Sequence, residues 1–98
     1  MNDAHSAAWR WWFGLTEYEA RWLSLLFERA GEWTSVAHLA GTFGVSSSQV
    51  RVQISRLRQA LEPEAIDTNP GLGYRLTDLG LGECRGAAWT MSEELKRA

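Results

Sequence analysis

Val36-Ala37-His38-Leu39-Ala40-Gly41-Thr42-Phe43-Gly44-Val45-Ser46-Ser47-Ser48-Gln49-Val50-Arg51-Val52-Gln53-Ile54-Ser55-Arg56-Leu57-Arg58 reads as two short helices joined by a tight turn at Phe43-Gly44-Val45, a helix-turn-helix. Gly44 supplies the positive φ that such a turn needs, without a Cβ penalty. Small Ala40 admits the second helix closely, while Leu39, Phe43, Val45, Val50 and Ile54 bring apolar bulk to the corner. Ser46 is a capping residue, and Gln49 three positions on completes a capping box. The second helix then carries Arg51, Arg56 and Arg58, with no acidic residue between Ser46 and Leu61. A polar N-terminus leading into an acid-free basic helix suits a reader of the DNA major groove. A structural helical hairpin with a solvated basic face is the plain alternative.

Within that second helix, Val50, Ile54, Leu57 and Leu61 recur at spacings of four, three and four and form a single core-facing seam. The opposite side holds Ser48, Val52, Ser55 and Gln59. Gln49, Gln53 and Arg56 flank it on one edge, Arg51 and Arg58 on the other. An exposed valine amid Gln and Arg suits a thymine methyl, unless a neighbour covers it.

Upstream, Thr16-Glu17-Tyr18-Glu19 is a capping box that opens a helix with an apolar stripe at Trp22, Leu23, Leu26, Phe27 and Ala30. Gly31 ends it, Trp33 and Thr34 are extended, and Ser35 caps the helix Val36 to Phe43. Downstream, Pro63 closes the helical region. Ile66-Asp67-Thr68, the turn segment Asn69-Pro70-Gly71-Leu72-Gly73, and Tyr74-Arg75-Leu76-Thr77 then read as strand, turn, strand. A β-hairpin placed after a helix-turn-helix is a wing, and Arg75 or the exposed tip is expected on DNA backbone or in the minor groove.

The ends of the chain are less regular. Met1 to Ser6 is expected to fray. Trp9-Arg10-Trp11-Trp12-Phe13, closed by Gly14, is expected as a strand with tryptophan on both faces. One face packs on the domain and the other needs a partner, unless all four aromatic rings are simply core. The chain is accordingly expected to be a homodimer paired through this edge, with Trp9, Trp11, Trp12 and Phe13 at the seam. From Gly80 the tail offers Ala87, Ala88, Trp89, Met91 and Leu95 for a short amphipathic helix, the alternative dimer contact.

The chain has 98 residues, 45% of them hydrophobic and 22% charged, which suits one folded domain over 1–98. It divides into a Trp-rich segment at 1–14, a core at 15–76 and an extension at 77–98. No apolar run reaches the roughly 18 residues of a membrane span and no signal peptide is recognisable, so a cytoplasmic location is expected. Cys84 stands alone, and His5 and His38 have no partner at a catalytic spacing. No enzyme activity, cofactor or metal is expected. The net charge of −2 opposes DNA binding. However, Gln49 to Leu61 is purely positive, while the acidic residues sit in flanking segments, and the local field decides contact.

Three pieces together resemble the winged-helix DNA-binding domain of OmpR/PhoB-type response regulators. They are Leu15-Thr16-Glu17-Tyr18-Glu19 with Leu25-Leu26; Val50 to Leu61 with its Ile54-Ser55-Arg56-Leu57-Arg58 core; and Ile66-Asp67-Thr68 with Gly71-Leu72-Gly73-Tyr74-Arg75-Leu76. The resemblance covers residues 15 to 76 and implies a mostly α fold: three core helices, a β wing and a short C-terminal helix. It implies a transcription regulator standing alone without a receiver domain, with the helix Ser48–Leu61 in the major groove and the hairpin Ile66–Leu76 reaching the minor groove. Carried over by position, Gln53, Arg56 and Arg58 face double-stranded DNA and Thr68 lies near phosphate.

Reading the residues themselves, Ser46, Ser47 and Ser48 offer a helix N-terminus to a phosphate. Gln49 and Gln53 suit adenine, Arg56 suits guanine, and Val52 and Ser55 line the same face. Arg51, Arg58 and Arg75 are expected on phosphates, with a pair to Glu62 four residues on as the alternative for Arg58. Several features depart from the family. Only fourteen residues precede Leu15, fewer than the family's N-terminal four-stranded sheet needs. The segment between the central helices is shorter than its transactivation loop. Pro70 holds the wing tip where a basic residue is common, and Arg51 replaces a usual acid. Six tryptophans and an acidic total keep a second reading open: a winged-helix adaptor or inhibitor of the transcription machinery.

Overall fold

The computed structural model describes residues 3–97. Five α-helices and one hairpin follow in the order α1 (Asp3–Phe13), α2 (Glu17–Glu28), α3 (Val36–Phe43), α4 (Ser47–Ala60), β1 (Ile66–Asn69), β2 (Gly73–Leu76) and α5 (Asp78–Arg97). A 3-10 turn at Pro63–Ala65 leads into β1.

The central helices start and stop where the local chemistry dictates. At α2, Thr16 Oγ1 accepts from the Glu19 N–H at 3.1 Å and the Glu19 carboxylate accepts from the Thr16 N–H at 2.9 Å, a complete capping box. Ser35 caps α3 by accepting from the His38 N–H at 3.0 Å. Gly44 ends α3 in the left-handed region at φ 64°, which turns the chain into α4. Ser46 caps α4 through the Gln49 N–H at 3.2 Å. The hairpin pairs Ile66 with Leu76, Asp67 with Arg75, Thr68 with Tyr74 and Asn69 with Gly73. Thr34 joins it as an extra rung, exchanging backbone hydrogen bonds with Tyr74 at 2.8 and 2.9 Å.

Two expectations are overturned at the N-terminus. Trp9 to Phe13 is the end of a helix, not a strand, and Asp3 to Ser6 is its helical start; Met1 and Asn2 lie outside the described residues. Aromatic strand propensity loses here to tertiary packing and to a Gly14 cap at φ 68°. Helical period puts Ala8 and Trp9 inside and leaves Trp11 and Trp12 67% and 49% exposed. Trp9 packs edge-on against Phe27 with centroids 5.1 Å apart, and its Nε1–H donates to the Cys84 carbonyl at 2.9 Å. With α1 helical, this segment has no strand edge to pair, and the buried Trp9 is withdrawn from the seam, which leaves Trp11 and Trp12 as its exposed members.

The C-terminal helix is longer than the tail suggests and begins at Asp78, running through Gly80, Gly82 and Gly86. Gly80 is required by close approach. A Cβ there would meet the Ala65 carbonyl oxygen at 2.3 Å, so the absence of a side chain lets α5 dock on the 3-10 turn. Thr77 secures the entry, its Oγ1–H donating to Glu64 O at 2.8 Å and its N–H donating to Ala65 O at 2.9 Å. Trp89 is 66% exposed on this helix, and the side chain of Leu95 lies outside the described residues.

One core ties the elements together. Trp22, Leu23 and Leu26 of α2, Leu39 of α3, Val50, Ile54 and Leu57 of α4, and Ile66, Tyr74 and Leu76 of the hairpin are all buried. Trp22 stacks on Phe43 with a centroid distance of 4.1 Å, which fixes α2 against the helix-turn-helix corner. Cys84 is fully buried in the same core, and desolvation pushes its thiol up to about 12, so it is a small apolar filler.

Candidate nucleic-acid interface

The exposed side of α4 is built by one seam facing in. Val50, Ile54 and Leu57 bury that seam, which turns Ser48, Arg51, Val52, Ser55, Arg56 and Gln59 outward. Val52 is 41% exposed. Arg51, Val52, Ser55, Arg56 and Gln59 line an open hollow of about 410 Å³ along this face. Gln59 belongs to the face although it was not among the expected contacts. It follows Ser55 by four residues and Arg51 by eight, so helical period alone was sufficient to include it.

At the head of the helix, Ser46 spends its hydroxyl on the cap, while Ser47, Ser48 and Gln49 are exposed in the first turn. Free N–H groups and the positive end of the helix dipole coincide there.

Between α4 and the hairpin lies a notch of about 280 Å³, lined by Val36, Arg51, Thr68, Asn69, Pro70, Gly73 and Tyr74. Arg51 is the cation of this notch. Strand alternation puts Thr68 and Tyr74 on the hairpin face that meets α4. Asp67 and Arg75 therefore point to the other side, into a groove of about 850 Å³ that also exposes Glu64 and Asp78. Three carboxylates against one arginine make that far groove unsuited to a polyanion. The field is thus divided by the hairpin: basic towards α4, acidic behind it.

Three expected contacts are placed differently. Gln53 is only 8% exposed, and its Oε1 is buried without a hydrogen-bond partner. At about 100° per residue it lies about 40° from Leu57, inside the buried arc of the helix. Arg58 braces the wing: its Nη2–H donates to Ile66 O at 3.3 Å and to Thr68 Oγ1, with the guanidinium 5.9 Å from the centre of the Tyr74 ring. Arg75 is held by the Asp67 carboxylate at 3.2 Å and lies 4.5 Å over the Trp33 ring. Thr68 is exposed but already accepts from Arg58. Arg56 stays 58% exposed with only a long 3.9 Å approach to Glu19. Arg51 and Arg56 are the arginines of the exposed α4 face.

Helix, turn, second helix and a hairpin packed beside it define a winged helix-turn-helix, with the second helix presented on the surface. Residues 13–76 match the family described as "Transcriptional regulatory protein, C terminal". The chain belongs to that family, which is one of DNA-binding transcription regulators of the OmpR/PhoB type. Searches of the curated proteins and of the solved structures returned no match. Among the described residues, no helix is long and apolar enough to cross a membrane.

Proposed function

We propose that this protein is a sequence-specific regulator that reads double-stranded DNA with α4 in the major groove and the hairpin astride the adjoining backbone. The observation that carries the reading is the outward face of α4. There Arg51 and Arg56 bracket an exposed Val52, with Ser48, Ser55 and Gln59 alongside and no acidic residue in the helix. Cations beside a methyl-bearing patch and several hydroxyl and amide groups match the mixed chemistry of base edges and phosphates. Two helices and a basic notch would admit one strand of backbone between α4 and the wing.

Because Arg58 and Arg75 are engaged within the protein, the electrostatic contribution is small. Arg51, Arg56 and the helix N-terminus together neutralise about three phosphates. The logarithm of the binding constant should therefore fall with the logarithm of salt concentration at a slope of about −2 to −3. Fluorescence anisotropy on a labelled duplex over a salt series measures it. A slope near zero, or no binding at low salt, rejects the proposal.

A homodimer joined through the exposed Trp11 and Trp12 of α1 belongs to the same reading, since a second domain would raise a modest affinity through effective concentration. Sedimentation at micromolar concentration as a monomer rejects that addition alone.

A further inference from the structure

We propose that Leu72, at the apex of the hairpin, is a minor-groove wedge that enters between two base pairs of bound duplex, unstacks them and kinks the DNA. The inference rests on the DNA-binding reading and assigns the wing tip a task that no cation there can perform.

The tip is Asn69-Pro70-Gly71-Leu72-Gly73, without a basic residue to be drawn into the negative potential of a minor groove. Its apolar side chain is instead displayed. Leu72 is 49% exposed, whereas Ile66, Tyr74 and Leu76 of the same hairpin are buried. A single exposed leucine has no significance alone. Here the backbone that carries it is also fixed. The Asn69 side-chain oxygen accepts from the Gly71 N–H at 2.9 Å and the Leu72 N–H at 3.1 Å, and the Leu72 N–H also reaches Asn69 O at 3.1 Å. Pro70 fixes its own φ within that loop. A preorganised tip loses little freedom on insertion, which is what a wedge requires.

The position fits as well. The Thr34–Tyr74 rung and the Arg58 brace to Ile66 and Thr68 fix the hairpin at a set offset from α4. The notch between them contains Arg51 and is lined by Pro70 but not by Leu72. In a duplex each sugar-phosphate strand separates the major groove from the minor. A strand lying in this notch, with α4 in the major groove, would put the minor groove beyond the hairpin tip, where Leu72 follows the notch-lining Pro70 by two residues. Apolar side chains that enter that groove partly unstack a base step and bend the helix towards the major groove. The ligand is therefore a duplex with a deformable pyrimidine–purine step, such as TA or CA/TG, opposite the wing.

The test uses the full chain and duplexes of roughly 30 base pairs in which one TA step is moved through a GC-rich frame. A 2-aminopurine in that step brightens when unstacked, and donor and acceptor dyes on the two ends report bending. For the parent protein, 2-aminopurine emission and end-to-end energy transfer rise together at one position of the step. Leu72→Ala loses both signals and about tenfold in affinity, while Leu72→Phe, another apolar wedge, restores them. Far-UV circular dichroism and the melting temperature stay at parental values, since Leu72 is exposed. Parent protein that binds without either signal, or Leu72→Ala that gives both, overturns the wedge and leaves the DNA-binding reading standing. A parent that binds none of the duplexes overturns both.

Discussion

Arg51→Glu combined with Arg56→Glu is expected to lower duplex affinity by at least about a hundredfold in low salt. The effect is one of charge at a single face. These are the two arginines on the outward side of α4, and each reversal removes a released counterion and places a carboxylate against phosphate. The fold should survive. Arg51 is exposed, and the Arg56 approach to Glu19 is long at 3.9 Å. Only the Arg56 end of that pair is open, Glu19 being 14% exposed, so the melt reads a loss of about 1 kcal/mol together with the repulsion that a carboxylate at position 56 adds. Anisotropy titration and a thermal melt on the same sample separate the two effects. A doubly reversed variant that binds as the parent does would show that α4 is not the contact face. Reversal at Arg75 is the matched control: its partners are Asp67 and Trp33 on the far side of the hairpin, so affinity should change much less.

The second large effect is structural. Gly73→Ala is expected to destabilise the protein by at least about 3 kcal/mol, on the scale of the most damaging single changes. Gly73 opens β2 at φ 106°, a conformation costly for any residue with a Cβ. Space is equally against it. An added Cβ would stand 2.0 Å from the Thr34 carbonyl oxygen and 2.8 Å from Ser35 Cα, both backbone atoms that no rotamer change can move. The strain falls on the rung between Thr34 and Tyr74, which ties the wing to the segment leading into α3. Urea unfolding measures the loss. Gly82→Ala, where nothing lies within 4 Å of the added Cβ, should be neutral or slightly stabilising. Equal stability of the two variants would contradict the account of the wing.

The contrast between these glycines indicates what a reader of the sequence can and cannot see. Gly44 was legible because its demand is local: a left-handed residue between two periodic segments. So were the caps at Thr16, Ser35 and Ser46, the buried seam of α4 and the two strands of the wing, each written within a few adjacent positions. α1 was not, because its aromatics carry strand propensity and the contact that decides the matter lies 75 residues away, from Trp9 to the Cys84 carbonyl. The full extent of α5 was hidden for the same reason. Three glycines lower its helix propensity, and the reason for Gly80 is the distant Ala65 carbonyl.

The candidate interface divides along the same line. Ser48, Arg51, Val52, Ser55 and Arg56 follow from period alone, and so does Gln59. In the sequence Arg58 has only Glu62 as a visible alternative partner and Arg75 has none, yet each meets a partner on another element, Thr68 with Ile66 for the first and Asp67 with Trp33 for the second. Only tertiary geometry separates arginines that brace the wing from those on the open face. Gln53 illustrates a finer margin, a displacement of one position around the helix that carries an amide from the edge of the groove face into the buried arc.

The central claim is that α4 reads sequence, and selection of duplexes from a random pool by the immobilised full chain tests it most directly. The account predicts that a short recurrent motif emerges within a few rounds. Arg56→Ala should relax preference at a guanine position by roughly 1–3 kcal/mol, and Val52→Ala should relax it at a thymine position by less. Recovery of a pool as random as the one applied, or of the same motif unchanged by both substitutions, would contradict it.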